Sequence, residues 1–510
     1  MLAVWSALPI LSALVACGDP FGRRAPPPNV LWIVWDTVRA DRTSVGSAPP
    51  PVDTTPRLAA FAARRGVVYT RATSPATWTL PSHASLFTGQ HGPTHGADAS
   101  WRWVDEANVT LAEQLRDAGW ATFAFSANPY VSPVSNVLQG FDEVELSWGP
   151  RWGAATRERT AAKQIDRDAS TEVSPAWPAA EPNIAWGKSP FKEAAPVAHA
   201  ALVDWLGRRT SAGPWFAYLN LMEAHSPRLP SKSARRRVMD RETYERGLVT
   251  DVSLFRMMRA IVGDFQYSDA ELAAIRANYD AALTELDDAT GDLLDDLEAR
   301  GLLDDTIVIV TSDHGENLGD HGLWEHRYSI HQTMLHVPLV VSYPRALAPG
   351  RVDRVVSTVD LHSTVLDWCG LDAPGPTASR SLTSGPAPGP VYALLTDPFA
   401  SSVLPIREAL PNVPVDHLLR TWEAVLDGDD KLVRASDGSV ALYDLLHDPD
   451  ELVDRSSAAP ERVRTLTGAL DRWRAAVPVA DPARRTPKDL QHDTADDETA
   501  AKLKLLGYVE

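Results

Sequence analysis

Three short runs of this chain carry side chains that can do chemistry together. Asp36 closes the apolar run Val30–Trp35 and opens Asp36-Thr37-Val38-Arg39-Ala40-Asp41. Asp313 and His314 follow the run Thr306–Thr311, in Ser312-Asp313-His314-Gly315-Glu316. An adjacent Asp and His can offer an oxygen and a nitrogen to one metal ion, and Asp36 adds an oxygen if the two runs are neighbours in space. The third run is Thr77-Trp78-Thr79-Leu80-Pro81-Ser82-His83-Ala84-Ser85-Leu86-Phe87-Thr88-Gly89, hydroxyl-rich and opening an apolar helix. A hydroxyl at a helix N-terminus faces unpaired N–H groups, which favour an anion and a developing alkoxide. Each run also has a plainer use: an Asp after a strand is commonly a cap or turn residue, and Thr79 or Ser82 is the type of residue that caps a helix.

Such groups need a frame that brings strand ends together. Val30–Trp35 is continuous, β-branched and aromatic, as expected of a strand buried on both faces of a parallel sheet. Further strands are expected at Ala121–Ser126, Trp215–Leu221, Thr306–Thr311 and His336–Ser342. Between them lie helical signals: Leu58 and Phe61 within Pro56–Arg65, a capping box at Thr110/Glu113, an apolar segment Ala198–Arg208, and a second capping box at Ser268/Glu271. The last opens a long helix with Leu272, Ile275, Tyr279, Leu283, Leu286 and Leu293 on one face, stopped by Gly301. Alternating strand and helix predicts an α/β core with a mostly parallel sheet, whose ligands bind beyond the C-terminal strand ends. Trp148–Ala195 lacks periodicity and reads as a long loop or insertion near the sheet edge. Ala373–Pro390 is a Pro/Gly/Ser-rich boundary. Beyond it, 391–480 reads as a small α+β subdomain, with a meander over Trp422–Asp444 turning at Asp437-Gly438 and a helix over Pro460–Ala475. Residues 481–510 form a charged tail expected to pack through Leu503–Val509.

Composition narrows the function classes. The 510 residues are 44% hydrophobic and 23% charged, ordinary for a globular protein. Mean hydropathy is −0.20, and no apolar run reaches the roughly 20 residues of a membrane span, which excludes a polytopic membrane protein. With 49 Lys and Arg against 67 Asp and Glu, the net charge of −18 argues against a general nucleic-acid binder. Two cysteines, Cys17 and Cys369, make neither a disulfide scaffold nor a cysteine zinc site. Met1–Ala16 is apolar, uncharged and short, and ends in Leu14-Val15-Ala16-Cys17 before Gly18-Asp19-Pro20. It resembles a bacterial lipoprotein signal (1–17) in which Cys17 carries the lipid, followed by a tether (18–28). It departs from that pattern in having no Lys or Arg before Arg23. The expectation is an exported protein held at the cell-envelope membrane through Cys17.

Taken in order, the motifs resemble the sulfatase family of the alkaline phosphatase superfamily. The resemblance runs from Asn29-Val30 and the Asp36–Asp41 motif through Thr55-Pro56, Pro75–Ser85, Thr94-His95-Gly96 and Ala224-His225-Ser226-Pro227. It continues through Ser312–Glu316, Gly319-Asp320-His321-Gly322-Leu323-Trp324, Val359-Asp360-Leu361, Leu442–Leu445 with Asp448-Pro449, and Leu505–Val509. It implies an alkaline phosphatase-like sheet sandwiched by helices over 29–372, and one divalent metal held by Asp36, Asp313 and His314 beside Thr79. Calcium is the family default, and the nitrogen of His314 favours zinc or manganese. Thr79 aligns with the family nucleophile, a Cys or Ser matured to formylglycine within Cys/Ser-x-Pro-x-Arg. Thr cannot be so converted, so no formylglycine is expected, and His83 replaces the Arg. The resemblance further places His225 on the transferred group and His326 at the anion or leaving oxygen. Both are also of a type found at surfaces and caps. His83 and Arg39 are candidates for substrate contact, with Arg39 equally able to pair with a carboxylate. Glu316 is expected to orient the metal ligands, and His95 is read as structural.

A Thr alkoxide activated by metal is a competent nucleophile. The leading expectation is therefore a metal-dependent hydrolase of sulfuric or phosphoric esters derived from a glycan or lipid. Thr nucleophiles beside an Asp-His metal pair also occur in phosphoethanolamine transferases and lipoteichoic acid synthases of the superfamily, so a phospho-group transferase acting on a lipid or glycan is the second reading. A non-catalytic, lipid-anchored binding protein is the third.

Overall fold

The computed structural model describes residues 26–169, 192–373, 378–383, 389–398 and 410–484, together with 403, 407, 408 and 499. The signal-like segment with Cys17, most of the tether, the middle of Trp148–Ala195 and Leu503–Val509 lie outside these residues. Strands β1 (Asn29–Trp35), β2 (Val67–Thr73), β3 (Ala121–Ser126), β4 (Glu143–Leu146), β5 (Trp215–Leu221) and β6 (Thr306–Ser312) come first. The short β7 (Asn317–Leu318) and β8 (Trp324–Glu325) follow, then β9 (His336–Val337), β10 (Leu339–Ser342) and β11 (Gly350–Ser357). Nine of these form one sheet in the order β11-β2-β10-β6-β1-β5-β3-β4, with β9 on β2; β7 and β8 form a separate ribbon.

β4, β3, β5, β1 and β6 run parallel, and β10 is antiparallel to both β6 and β2. The single strand expected over His336–Ser342 is split at Pro338, which has no N–H for the ladder. β1 shows why a continuous apolar run belongs at the centre. Val30, Trp32 and Val34 enter the core on one face of the sheet, and Leu31, Ile33 and Trp35 enter the other. The helix Asp269–Ala299 forms behind its capping box as expected and buries Ile275, Tyr279, Leu283, Leu286 and Leu293. Helix α1 (Pro56–Arg65) buries Leu58 and Phe61, also as expected.

Part of the expected loop Trp148–Ala195 is a helix, Gly153–Ala169. Its Ala, Arg, Glu, Lys and Gln are strong helix formers. Its buried positions include Thr156 and Thr160 rather than large apolar residues, so the sequence shows no hydrophobic period.

The meander is confirmed and extended: β12 (Val391–Leu395), β13 (Trp422–Asp427), β14 (Asp430–Ala435) and β15 (Val440–Asp444) form an antiparallel sheet. The β13–β14 and β14–β15 turns carry Gly428 and Gly438 at φ +63° and +86°, the left-handed region glycine favours. Leu466 and Leu470 of the helix Pro460–Ala476 pack on Val425, Leu432 and Leu442. The small sheet is pinned to the main domain by Lys431. Its buried Nζ pairs with Glu451 at 2.6 Å and donates to the carbonyl of Ile330 at 2.7 Å. Beyond Arg484 the described chain resumes at Thr499, whose hydroxyl accepts from Trp148 Nε1 at 2.7 Å. Among the described residues, no helix is long and apolar enough to cross a membrane.

Candidate active site

The parallel register of β1 and β6 sets Trp35 opposite Ser312, so Asp36 and Asp313 leave adjacent strands at the same edge. Helix α2 (Thr79–Thr88) begins beneath that edge. Its position is fixed by hydroxyls: Ser74 and Ser82 both donate to the carbonyl of Asp313 and meet each other at 2.9 Å. Neither Thr79 nor Ser82 caps the helix. Trp78 is the cap residue and its side chain does not cap the first-turn amides, Thr79 is the first helical residue, and the Ser82 hydroxyl is spent on Asp313. The first-turn amides therefore have no side-chain cap, which leaves positive partial charge beside the Thr79 hydroxyl.

Asp36, Asp313 and His314 present ligand atoms within 4.8 Å of one another, all fully buried. Asp36 Oδ1 and Asp313 Oδ2 have no hydrogen-bond partner. His314 Nδ1–H donates to the carbonyl of Gly315 at 2.9 Å, which leaves the Nε2 lone pair facing the cluster. Two orphaned carboxylate oxygens and one imidazole lone pair fit a divalent cation. Thr79 Oγ1 lies 3.4 Å from His314 Nε2. Burial, and the neighbouring Asp313, push the Asp36 carboxyl up to about 7. Burial also pushes Asp313 up to about 7 and takes His314 down to about 4.

The expected histidines gather here too. The His326 ring lies 4.7 Å from His314 and 5.3 Å from His225, centroid to centroid. Burial depresses both, His326 to about 3. His83 Nδ1–H donates to the Thr79 carbonyl at 2.8 Å, and burial lowers its pKa to about 3. His83 is thus a neutral ring that braces the first turn of α2, with no N–H left for an ester anion. His95 sits against Ser85 at 3.1 Å, a structural contact as read.

Two expectations change. Arg39 does not face the cluster: its guanidinium is held by Asp41 (2.8 Å), Asp320 (2.7 Å) and the carbonyl of Glu316 (3.2 Å), because two carboxylates outcompete any weaker partner. Glu316 does not orient Asp36, Asp313 or His314. Its oxygens bind His326 Nδ1 at 3.1 Å and Arg228 Nη2 at 2.7 Å, so it orients a histidine expected to contact substrate.

Asn128 and Lys192 belong to the site and escaped the sequence reading. Asn128 Nδ2 donates to Asp36 Oδ2 at 2.7 Å and lies 3.4 Å from Thr79 Oγ1. It stands two residues past the end of β3, so the rule that singled out Asp36 and Asp313 reaches it as well. Lys192 gives no such signal. Its buried Nζ donates to the carbonyls of Met222 (2.6 Å) and His225 (2.7 Å), holding the turn that carries His225.

Comparison with known proteins places the chain in a family. The sulfatase family model matches residues 28–371. Arylsulfatase K of Xenopus laevis is 33% identical over 210 residues, 39% of this chain and 37% of that protein, so the match spans little more than a third of that relative. Choline-sulfatase of Rhizobium meliloti (strain 1021) is 24% identical over 468 residues, 87% of this chain and 86% of that protein. The crystal structure of a phosphonate monoester hydrolase of Agrobacterium radiobacter superposes with a TM-score of 0.65 at 23% identity. It covers 88% of this chain and 95% of that one, a likeness of fold.

Proposed function

The chain belongs to the sulfatase family, and we propose that it is a metal-dependent hydrolase of sulfuric or phosphoric esters with Thr79 as nucleophile. The observation that carries this is the Thr79 hydroxyl at an uncapped helix N-terminus, 3.4 Å from a histidine nitrogen beside two orphaned carboxylate oxygens. Asp36, Asp313 and His314 would hold the ion, and Asn128 fixes the Asp36 carboxylate by occupying its other oxygen. A divalent ion there supplies positive charge that neutralises the ester and lowers the pKa of a neighbouring hydroxyl. The two-oxygen, one-nitrogen donor set favours zinc or manganese over calcium.

Thr79 Oγ1 attacks the sulfur or phosphorus. The Thr79 hydroxyl gives up its proton, the bond to the leaving oxygen breaks, that oxygen takes up a proton in turn, and a Thr79 ester remains. Water cleaves this ester and returns the hydroxyl. His225 and His326 line the same pocket. Burial keeps both neutral, and the charge of a bound anion acts in the opposite direction, restoring their affinity for the proton that the leaving oxygen needs. The substrate class proposed is an anionic ester from a glycan or lipid. The lipoprotein-like run ending at Cys17 supports action outside the cytoplasm at a membrane surface. Thr79 also supports a second reading, in which an acceptor alcohol rather than water cleaves the Thr ester and the protein is a phospho-group transferase.

The test uses protein reconstituted separately with Zn, Mn and Ca and assayed on matched aryl sulfate, phosphate monoester, phosphate diester and phosphonate substrates. Turnover of at least one ester is expected, falling by about a thousandfold or more in Thr79→Ala. Turnover unchanged in Thr79→Ala would sink the nucleophile assignment. Turnover that appears only when an alcohol acceptor is added would favour the transferase.

A further inference from the structure

Next to the first cluster stands a second one, of which the proposed reaction uses only the His326 ring, braced by Glu316. Glu316, Glu325 and His326 also place ligand atoms within 4.8 Å of one another, and all three are buried. Glu325 is the unusual member. It is 8% exposed, and among the described residues its carboxylate has no hydrogen-bond or ion-pair partner, while the charges of His326, Arg327 and Arg228 nearby favour its ionised form. Its backbone has φ +62°, a left-handed conformation that costs a residue with a side chain about 1–3 kcal/mol and clusters at functional positions. The ribbon of β7 and β8 enforces it: Asn317 pairs with Glu325 in register, and Asn317 Nδ2 donates to the Glu325 carbonyl at 2.9 Å. A strained main chain thus delivers an unpartnered carboxylate to His326 and to the carboxylate of Glu316. Two buried carboxylates at this range repel unless a cation lies between them. Arg228 takes one oxygen of Glu316 and leaves Oε1 on the His326 side.

We propose that Glu325, Glu316 and His326 Nδ1 form a second divalent-cation site adjacent to the first. Two carboxylate oxygens and one imidazole nitrogen suit manganese or zinc. The site would also change what His326 presents to substrate. With hydrogen on Nδ1 donated to Glu316, Nε2 carries only a lone pair, which repels an anionic ester. A cation in place of that hydrogen puts the ring's one proton on Nε2, where it donates to the anion. A third cluster, His321, His331 and Glu451, meets the same distance but is a poorer cation site. Its imidazoles stack face to face at 3.8 Å and 11°, so their in-plane lone pairs do not converge, and Glu451 is neutralised by Lys431.

The proposal rests on the neighbouring cluster being the first metal position, and counting ions in variants of each separates the two. The metal-depleted chain is dialysed against Mn or Zn and its bound ions are counted by mass spectrometry. Wild type should hold two, Glu325→Gln one and Asp313→Asn one. Manganese-loaded wild type should show a spin-coupled pair by electron paramagnetic resonance, and Glu325→Gln an isolated ion. Glu325→Gly removes the carboxylate and relieves the positive φ, so it should lose an ion while melting no lower than wild type; it stands in if Glu325→Gln does not fold. A single ion in wild type, or two retained in the Glu325 variants, overturns the second site. Absence of ester turnover with two ions bound counts against the reaction and not against this site.

Discussion

Asp36 and Asp313 explain how a buried cluster can wait for a cation. Both carboxyls are raised to about 7 by burial, so at neutral pH each is poised between its acid and base forms. An ion must displace those protons to bind. Metal affinity should therefore rise with pH below about 7, by about tenfold per pH unit for each proton displaced, and level off above it. Isothermal titration in buffers of different ionisation enthalpy reads both the affinity and the proton release. Affinity that is flat between pH 5 and 8 would contradict the raised carboxyls. His83 is informative in the opposite way. The structure gives it a main-chain partner, the carbonyl of Thr79, rather than a charge.

The turn after β5 shows how an element is held for chemistry. Lys192 is buried, its pKa brought down to about 7 by burial, and it donates to the carbonyls of Met222 and His225. Lys192→Met should leave those carbonyls unsatisfied at about 1–3 kcal/mol each and loosen His225. The expected result is a lower melting temperature with a larger fall in kcat than in KM; a lower Tm with unchanged kcat would mean the lysine is only structural. β1 works by packing alone. Ile33 lies wholly in the core, so Ile33→Ala should cost about 2–5 kcal/mol in denaturant unfolding and leave the site residues themselves unaltered.

The small antiparallel sheet carries one buried ion pair, Lys431 with Glu451, whose two members reach the main domain at the Ile330 carbonyl and at His331. Burial alone would raise Glu451, but Lys431 and His331 outweigh it and hold its carboxyl at about 2, against an ordinary 4.5. A depressed carboxyl contributes stability in full above its unfolded pKa and loses it as pH falls through the folded one. The contact should therefore weaken between about pH 4.5 and about 2. Lys431→Met leaves Glu451 buried without its cation and should destabilise the protein by about 3–5 kcal/mol at neutral pH. Calorimetry of the variant from pH 3 to 7 checks both: its deficit should shrink on acidification, and a constant deficit would refute the pairing.

Periodicity and capping alone placed β1, β3, β5, β6, α1 and the long helix, because long apolar runs and capping boxes are local signals with one physical meaning. The same locality made Asp36, Thr79, Asp313 and His314 visible as residues able to act together. It could not tell a cap from a nucleophile at Thr79, since that depends on where the first-turn amides point once Ser74 and Ser82 have tied α2 to Asp313. Nor could it assign Arg39 and Glu316, whose partners lie far away in sequence: Asp320 for the one, Arg228 and His326 for the other. The helix Gly153–Ala169 stayed hidden because Thr156 and Thr160 bury without an apolar stripe. Lys192 stayed hidden because a lysine's role is set by the carbonyls it reaches. The sequence by itself determined which elements form and which residue types stand at their ends. Tertiary structure decided which of those residues meet, because the neighbours of a buried polar group are chosen by the packing of strands and helices hundreds of residues apart.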